Sequence, residues 1–289
     1  MDLRHNQLPW SDQIWAKINA DLAQALAQSR RVRAPFEVFH VPSSTQTVMA
    51  DARDPVSGLL YAETVTTPVV ELWVPFEILS SQVQNEGENF FALDRIIEAA
   101  YELGFAEDVL LMDGRAADLP DTVRVSNVRD MWTGIRTYAS QLSTDLATSK
   151  GYSDQKRTPA GLELFNAVID ACSLLRRRHR YDPFALLLSS NLEGELSSTI
   201  RGSNSLNTPV ERMKPLVTGG IVSTPSIPDD SAVVISTARS WVDIAQALEP
   251  SVQFLSVGPN GQFNMRLVER FAFRLKDRNA RCGVRMRAD

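Results

Sequence analysis

Glu107 and Asp108 are the residues of this chain whose type and spacing come nearest to chemistry. Adjacent carboxylates can divide into a general acid and a general base when their surroundings push their pKa values apart. They also stand near the expected C-terminal end of a helix, where the dipole disfavours negative charge. The pair therefore reads equally as a structural ion pair with an arginine of the same or a neighbouring subunit, and this second reading is carried forward. His40, Ser43 and Asp51 offer the residue types of a nucleophile triad, but their spacing does not order them, and His40 reads as a solvated loop histidine. His5, His40 and His179 stand at no metal-ligand spacing with one another or with Cys172 and Cys282. A dinucleotide fingerprint, a phosphate loop and a nucleophile elbow are all missing. The expectation is a protein that is not an enzyme, with no catalytic, cofactor-binding or metal site and no cofactor.

Charge narrows the partners. Thirty basic against thirty-five acidic residues give a net charge of −5, which provides no general attraction for nucleic acid. The local exception is Arg176, Arg177, Arg178, His179 and Arg180. This run closes the apolar stripe Leu162, Phe165, Val168, Ile169, Cys172 and Leu175, so it reads as a helix C-terminus or a subunit contact. A phosphate-binding patch is the lesser reading, because no aromatic residues interleave the arginines. Two cysteines argue against a disulfide framework and fit a reducing cytosol. No run approaches the roughly 18 apolar residues of a membrane span, and Asp2, Asp12 and Asp21 are unlike a signal peptide, so no membrane partner is expected.

The elements that position these residues follow from periodicity. A first helix is expected from Ser11, its N-cap, to Gln28, with Ile14, Trp15, Ile18, Leu22 and Leu26 on one face. Residues 43 to 68, mixed in composition and lying between two strand-like runs, suit a long two-stranded arm whose Leu59, Leu60 and Tyr61 gain burial only on assembly. From Val69 to Ile78 apolar residues alternate with Glu71 and Glu77, the signature of a half-buried strand, while Pro75 suggests an edge or a bulge. A polar turn around Gly87 leads to a helix over about 92–111, on the order of 30 Å long.

Leu119 to Arg157 reads as weakly ordered or partner-contacting surface, and Thr158 with Pro159 restarts a helix. Pro183 to Ser189 is a short, wholly apolar strand suited to a buried central place, and the chain from there to Gly258 reads as a separate lobe. Met265 to Lys276 returns a strand with Arg266, Arg270, Arg274 and Lys276 on one face. That face is a partner for Glu71 and Glu77 if the two strands pair.

The run PVVELWVPFEILSSQVQNEGENFFALDRIIEAAYELGFAEDVLLMDG resembles the same region of encapsulins, the linocin-type shell proteins. LPWSDQIWAKIN, YDPFALLLSS, GGIVSTPSIPDDSAVVIS and MRLVERFAFRLKDRNARCGVRM resemble further family segments in the family's order. Encapsulins share their fold with tailed-bacteriophage major capsid proteins. The resemblance implies an α+β, bacteriophage capsid-type fold with a peripheral domain, an extended loop and an axial domain. On that template residues 1–42 are the N-terminal helix and arm, 43–68 the extended loop, 69–182 the peripheral domain with the long spine helix, 183–258 the axial domain, and 259–289 the return to the peripheral domain.

The resemblance further implies self-assembly into an icosahedral shell. The partners are then many copies of the chain, as pentamers and possibly hexamers, enclosed DNA or protein cargo held without sequence-specific binding, and portal or decoration proteins. The first helix would line the shell interior beside cargo. The chain has no glycine between Asp2 and Gly58, where the family carries a glycine-rich segment, and it has an extra polar tract from Leu119 to Thr158. Both departures lean toward a phage major capsid protein in a virion, with a cytoplasmic encapsulin compartment as the alternative and a soluble α+β enzyme as a remote one.

Overall fold

The computed structural model describes residues 8–50, 52–53, 61–62, 65–127, 131–136, 160–197 and 208–285. Helix α1 (Asp12–Ser29) begins where expected: the Ser11 hydroxyl accepts the Ile14 N–H at 3.4 Å. Its buried stripe is Ile18, Leu22, Ala25 and Leu26. A tight connector carrying Arg30, Arg31 and Arg33 leads to strand β1 (Val38–His40).

The arm follows as β2 (Thr47–Met49), β3 (Ala52–Arg53), β4 (Tyr61–Ala62) and β5 (Thr66–Pro68). β2 pairs antiparallel with β5 and β3 with β4, so the outgoing and returning chains form one extended double strand. Leu59, Leu60 and the Tyr61 side chain lie outside the described residues.

β6 (Val70–Ile78) buries Val70, Leu72, Val74 and Ile78 and leaves Pro75 and Glu77 exposed, the alternation its sequence dictates. The expected polar turn is instead two short helices, α2 (Ser80–Gln84) and α3 (Glu86–Asn89). Glu86 is buried, and its carboxylate accepts the N–H groups of Ala92 and Leu93 at 2.7 and 2.9 Å. It thereby satisfies the first turn of α4 (Phe91–Asp113), whose own cap residue, Phe90, supplies no side-chain acceptor. α4 is the spine, 23 residues and about 34 Å long. It stops at Gly114, where φ is +57° and an added Cβ would meet the Trp132 carbonyl at 2.3 Å.

β7 (Arg124–Val125) comes next. The expectation of loose surface between Leu119 and Arg157 is corrected at residues 131–136: Met131, Trp132 and Ile135 are buried, and the Trp132 ring packs on Phe271 with centroids 5.5 Å apart. A polar tract with four well-spaced apolar residues gave no periodicity, so their burial against distant strands was invisible locally. Tyr138, Thr158 and Pro159 lie outside the described residues.

The remaining elements are α5 (Ala160–Arg177), β8 (Phe184–Leu188), α6 (Ser190–Ser197), α7 (Pro209–Met213), β9 (Gly220–Ser223), β10 (Ser231–Ser236), β11 (Val242–Val257), β12 (Phe263–Leu275) and β13 (Arg281–Arg285). Strands order as β1-β11-β12-β6-β7 in one sheet and β13-β10-β8-β9 in another. Among the described residues β7 pairs with Leu72 and Trp73 alone, so Pro75 stands beyond that ladder, where its missing N–H is tolerated.

The two sheets meet at β8 and β10, whose residues divide between two core clusters. Ala185 and Leu187 of β8 pack into the same cluster as Leu72, Leu103 and Phe271, while Phe184, Leu186 and Leu188 pack with α5. β8 is wholly apolar because both of its faces are covered. β11 lies in the five-stranded sheet, β13 in the four-stranded one, and α5 packs on the latter. Among the described residues no helix is long and apolar enough to cross a membrane.

Candidate functional site: a buried charge cluster and the base of the arm

The connector after α1 carries its arginines into the protein. Arg30 Nε lies 2.6 Å from Glu107 Oε2, and its guanidinium also bonds Glu269. Arg33 Nη1 stands 2.9 Å from Glu107 Oε1 and 3.9 Å from Glu269, and the same guanidinium donates to the Gln246 side chain. Both carboxylates are fully buried. Two guanidinium groups and two carboxyl groups thus pair where α1, α4, β11 and β12 converge, which offsets the desolvation each would suffer alone. Burial pushes the Glu269 carboxyl up to about 8, with Arg30 pulling against it. Burial works to lower Arg30, but Glu107 and Glu269 outweigh it and leave the guanidinium raised.

Asp108 faces another way, one residue further round the helix. Its carboxylate accepts the N–H groups of Arg31 and Val32 at 3.1 and 2.9 Å and the Thr224 hydroxyl at 3.1 Å. Burial raises its pKa to about 7, and the hydrogen bond from Val32 opposes that rise. The acidic pair therefore has arginine and backbone partners from its own chain, as the ion-pair reading expects for Glu107. Neither carboxylate reaches a surface where a substrate could meet it.

Sequence reasoning missed Glu269. It occupies the odd, apolar register of β12 between Leu267 and Phe271, and a lone acid on such a face is the signal that a buried cation waits opposite. Beside the cluster a hollow of about 490 Å³ is lined by Leu22, Leu26, Arg30, Arg33, Glu249 and Pro250, among others.

The other candidates stay apart. His40 is exposed and stands 3.6 Å from Glu249, while Asp51 lies outside the described residues. The described hydrogen bonds do not join His40 to Ser43. Arg176 donates to both oxygens of Asp182 at 3.1 and 3.2 Å, and Arg180 pairs with Asp277 and lies 4.2 Å over the Trp241 ring. The basic run ends α5, as its position implies, with His179 in the left-handed region at φ +59°. Cys172 and Cys282 are buried free thiols, and burial raises the Cys172 thiol to about 11.

β12 and β6 do pair, and Arg266 Nη1 meets Glu71 Oε1 at 2.8 Å. Glu77 stands in register with Asn264 instead. Further along the same face Arg270 donates to the carbonyls of Ser43 and Thr45, the latter at 3.0 Å, and Arg274 donates to the Met49 carbonyl at 2.6 Å. Arg274 also grips both oxygens of Asp243 at 2.6 Å, and Lys276 completes that pair at 2.8 Å.

Two raised carboxyls fix the sign of the pH dependence. Asp108 moves from 3.8 to about 7 and Glu269 from 4.5 to about 8, so the folded chain holds more protons than the unfolded chain in between. The stability they contribute is complete below about pH 4 and is lost as pH rises through 7 and 8. Melting temperature should fall between pH 6 and pH 9 by at least about 2–4 °C, the equivalent of ~1 kcal/mol. Glu269→Gln should flatten that slope, and a melting temperature that climbs over this interval would contradict the assignment.

The model of the family described as "Encapsulating protein for peroxidase" matches residues 135–272, just short of half the chain. A type 1 encapsulin shell protein of Myxococcus xanthus is 24% identical, covering 97% of this chain and 95% of its own length. One from Mycolicibacterium paratuberculosis is 23% identical over 88% of each chain. Among solved structures, the virus-like particle from Pyrococcus furiosus superposes with a TM-score of 0.68 at 15% identity, covering 93% of this chain and 98% of the other. The capsid of Myoviridae phage XM1 gives 0.57 at 12% identity, with 88% and 90% covered. The architecture is thus the α+β capsid-type fold.

Proposed function

We propose that this chain is a relative of the encapsulin shell proteins and tailed-phage capsid proteins and acts as a structural subunit, assembling with many copies of itself into a closed icosahedral shell. The observation that carries the reading is the arm. Its two ladders pair an outgoing with a returning strand, and although Val48 packs into the core and Thr67 is buried, Met49 and Val65 are 55% and 44% exposed. Such surface is covered when a neighbouring subunit lies under it. Pentamers, and hexamers in a larger shell, are the closed arrangements the reading implies.

We further propose that the contents are protein cargo, as in a cytoplasmic compartment. The likeness to encapsulin shell proteins along nearly the whole chain supports this. The hollow beside α1 is a fitting place for a cargo segment on the interior wall. The second reading, a virion capsid enclosing DNA with portal or decoration proteins, is favoured by the extra polar tract and by the lack of glycine before Gly58.

Size-exclusion chromatography with electron microscopy tests the shell. Hollow particles in the void volume are expected, whereas a monomer or dimer near 32.1 kDa at high concentration would refute it. Nuclease-protected DNA or a co-purifying protein then separates the two contents.

A further inference from the structure

We propose that the even-numbered face of β12 is an arginine comb that sets the angle at which the arm leaves the body of the subunit, with Arg270 and Arg274 as its positioning residues. Its effect on particle shape rests on the shell reading, while its effect on the arm base does not.

Arg266, Arg270 and Arg274 recur every fourth residue, so their side chains leave one face of the strand about 13 Å apart. Arg266 holds Glu71 of β6, Arg270 stands 3.8 Å from the same carboxylate while holding the chain entering the arm, and Arg274 holds the end of β2. The β6 ladder on β12 stops at the Val70–Phe271 pair. Beyond it the returning arm strand has left the sheet, and the guanidinium of Arg274 spans the gap.

The carbonyls taken are those of Ser43, Thr45 and Met49. Ser43 lies in the turn that leads into the arm, while Thr45 and Met49, of like parity along the extending chain, point their carbonyls to the same side. The Gln46 carbonyl, of opposite parity, accepts the Val69 N–H at 2.8 Å from the returning strand. The outgoing strand is thus held on one edge by its partner strand and on the other by β12.

A guanidinium suits this place because its planar fork donates to two carbonyls at once and fixes direction as well as distance. Arg274 is itself fixed, because Asp243, fully buried, holds two of its nitrogens and the Phe39 ring lies 4.6 Å below it. The consequence is leverage. From Gln46 to Arg53 the arm runs about 23 Å at ~3.3 Å per residue, so a 10° error at the base moves its outer ladder by about 4 Å. A shift of that size puts the arm off its seat on a neighbour.

Arg270→Ala is the discriminating variant, since it removes the fork and leaves Asp243 paired. Hydrogen exchange in peptides carrying the Ala50 and Val69 amides should quicken at least about tenfold, while the melting temperature stays within about 2 °C. Arg270→Lys, which can satisfy one carbonyl at a time, should recover most of that protection. Arg274→Lys keeps a cation beside Asp243 and should act in the same direction as Arg270→Ala. Under the electron microscope, wild-type particles of one diameter should give way to a spread of diameters and open fragments. Exchange unchanged by Arg270→Ala would overturn the comb, as would uniform wild-type particles from both Arg270→Ala and Arg274→Lys. Wild-type protein that forms no particle would instead remove the shell reading, and the exchange measurement would still judge the comb.

Discussion

Arg30→Ala should destabilise the subunit by roughly 3–5 kcal/mol, the usual effect of leaving a buried charge without its partner. Arg30 bridges Glu107 and Glu269, and neither carboxylate has solvent to turn to. Arg33 can hold Glu107 but stands 3.9 Å from Glu269, too far to replace what is lost. Against a typical stability of about 5–15 kcal/mol the loss is large, and it corresponds to a drop of roughly 10 °C in melting temperature. Because Arg30 is also the C-cap of α1, the helix should loosen from α4 in the same transition. The double variant Arg30→Met with Glu269→Gln removes both charges and should restore more than half of the loss. Denaturant titration of the wild type, Arg30→Met, Glu269→Gln and the double variant makes the comparison; additive effects of the two substitutions would mean the pair is not coupled.

Deleting residues 44–67 should leave soluble subunits that form no particles. The deletion removes both ladders of the arm, β2 with β5 and β3 with β4, and ends beside Val69, so the sheet containing β6 remains whole. Loss of assembly should be complete rather than partial, since a closed shell repeats the contact at every subunit. Sedimentation velocity gives the answer, and an unchanged particle yield would show that the arm takes no part in assembly.

Legibility followed the range of the interactions. Ser11 capping α1, the alternation of β6 and the stripe of the spine helix are written in neighbouring residues, and all three could be read there. The match of Glu71 to the basic face of β12 was also visible, because each strand showed its charged face separately. The acidic pair at Glu107 and Asp108 announced a partner but not its address, for Arg30 and Arg33 lie more than seventy residues earlier. β11 escaped notice because Gln246, Glu249 and Pro250 interrupt its alternation, and its ladder with β12 shifts register near them. Glu86 as a helix cap was hidden because it reaches forward over six residues past a left-handed Phe90, a distance no capping pattern covers. β13 joins its sheet beside β10 from the far end of the chain, and nothing in a five-residue run reveals which edge it will take.

The pairing of β6 with β12 has a consequence for how the protein is made. About 200 residues separate Val70 from Phe271, so at ~5–20 residues per second a ribosome releases the second strand some 10–40 s after the first. Throughout that interval β6 has at most the two-residue β7 as a neighbour in its sheet, and the nascent polypeptide presents Val70 and Val74 on a strand without its β12 partner. Production of intact subunits is therefore limited by translation speed and chaperone cover as much as by the stability of the finished article.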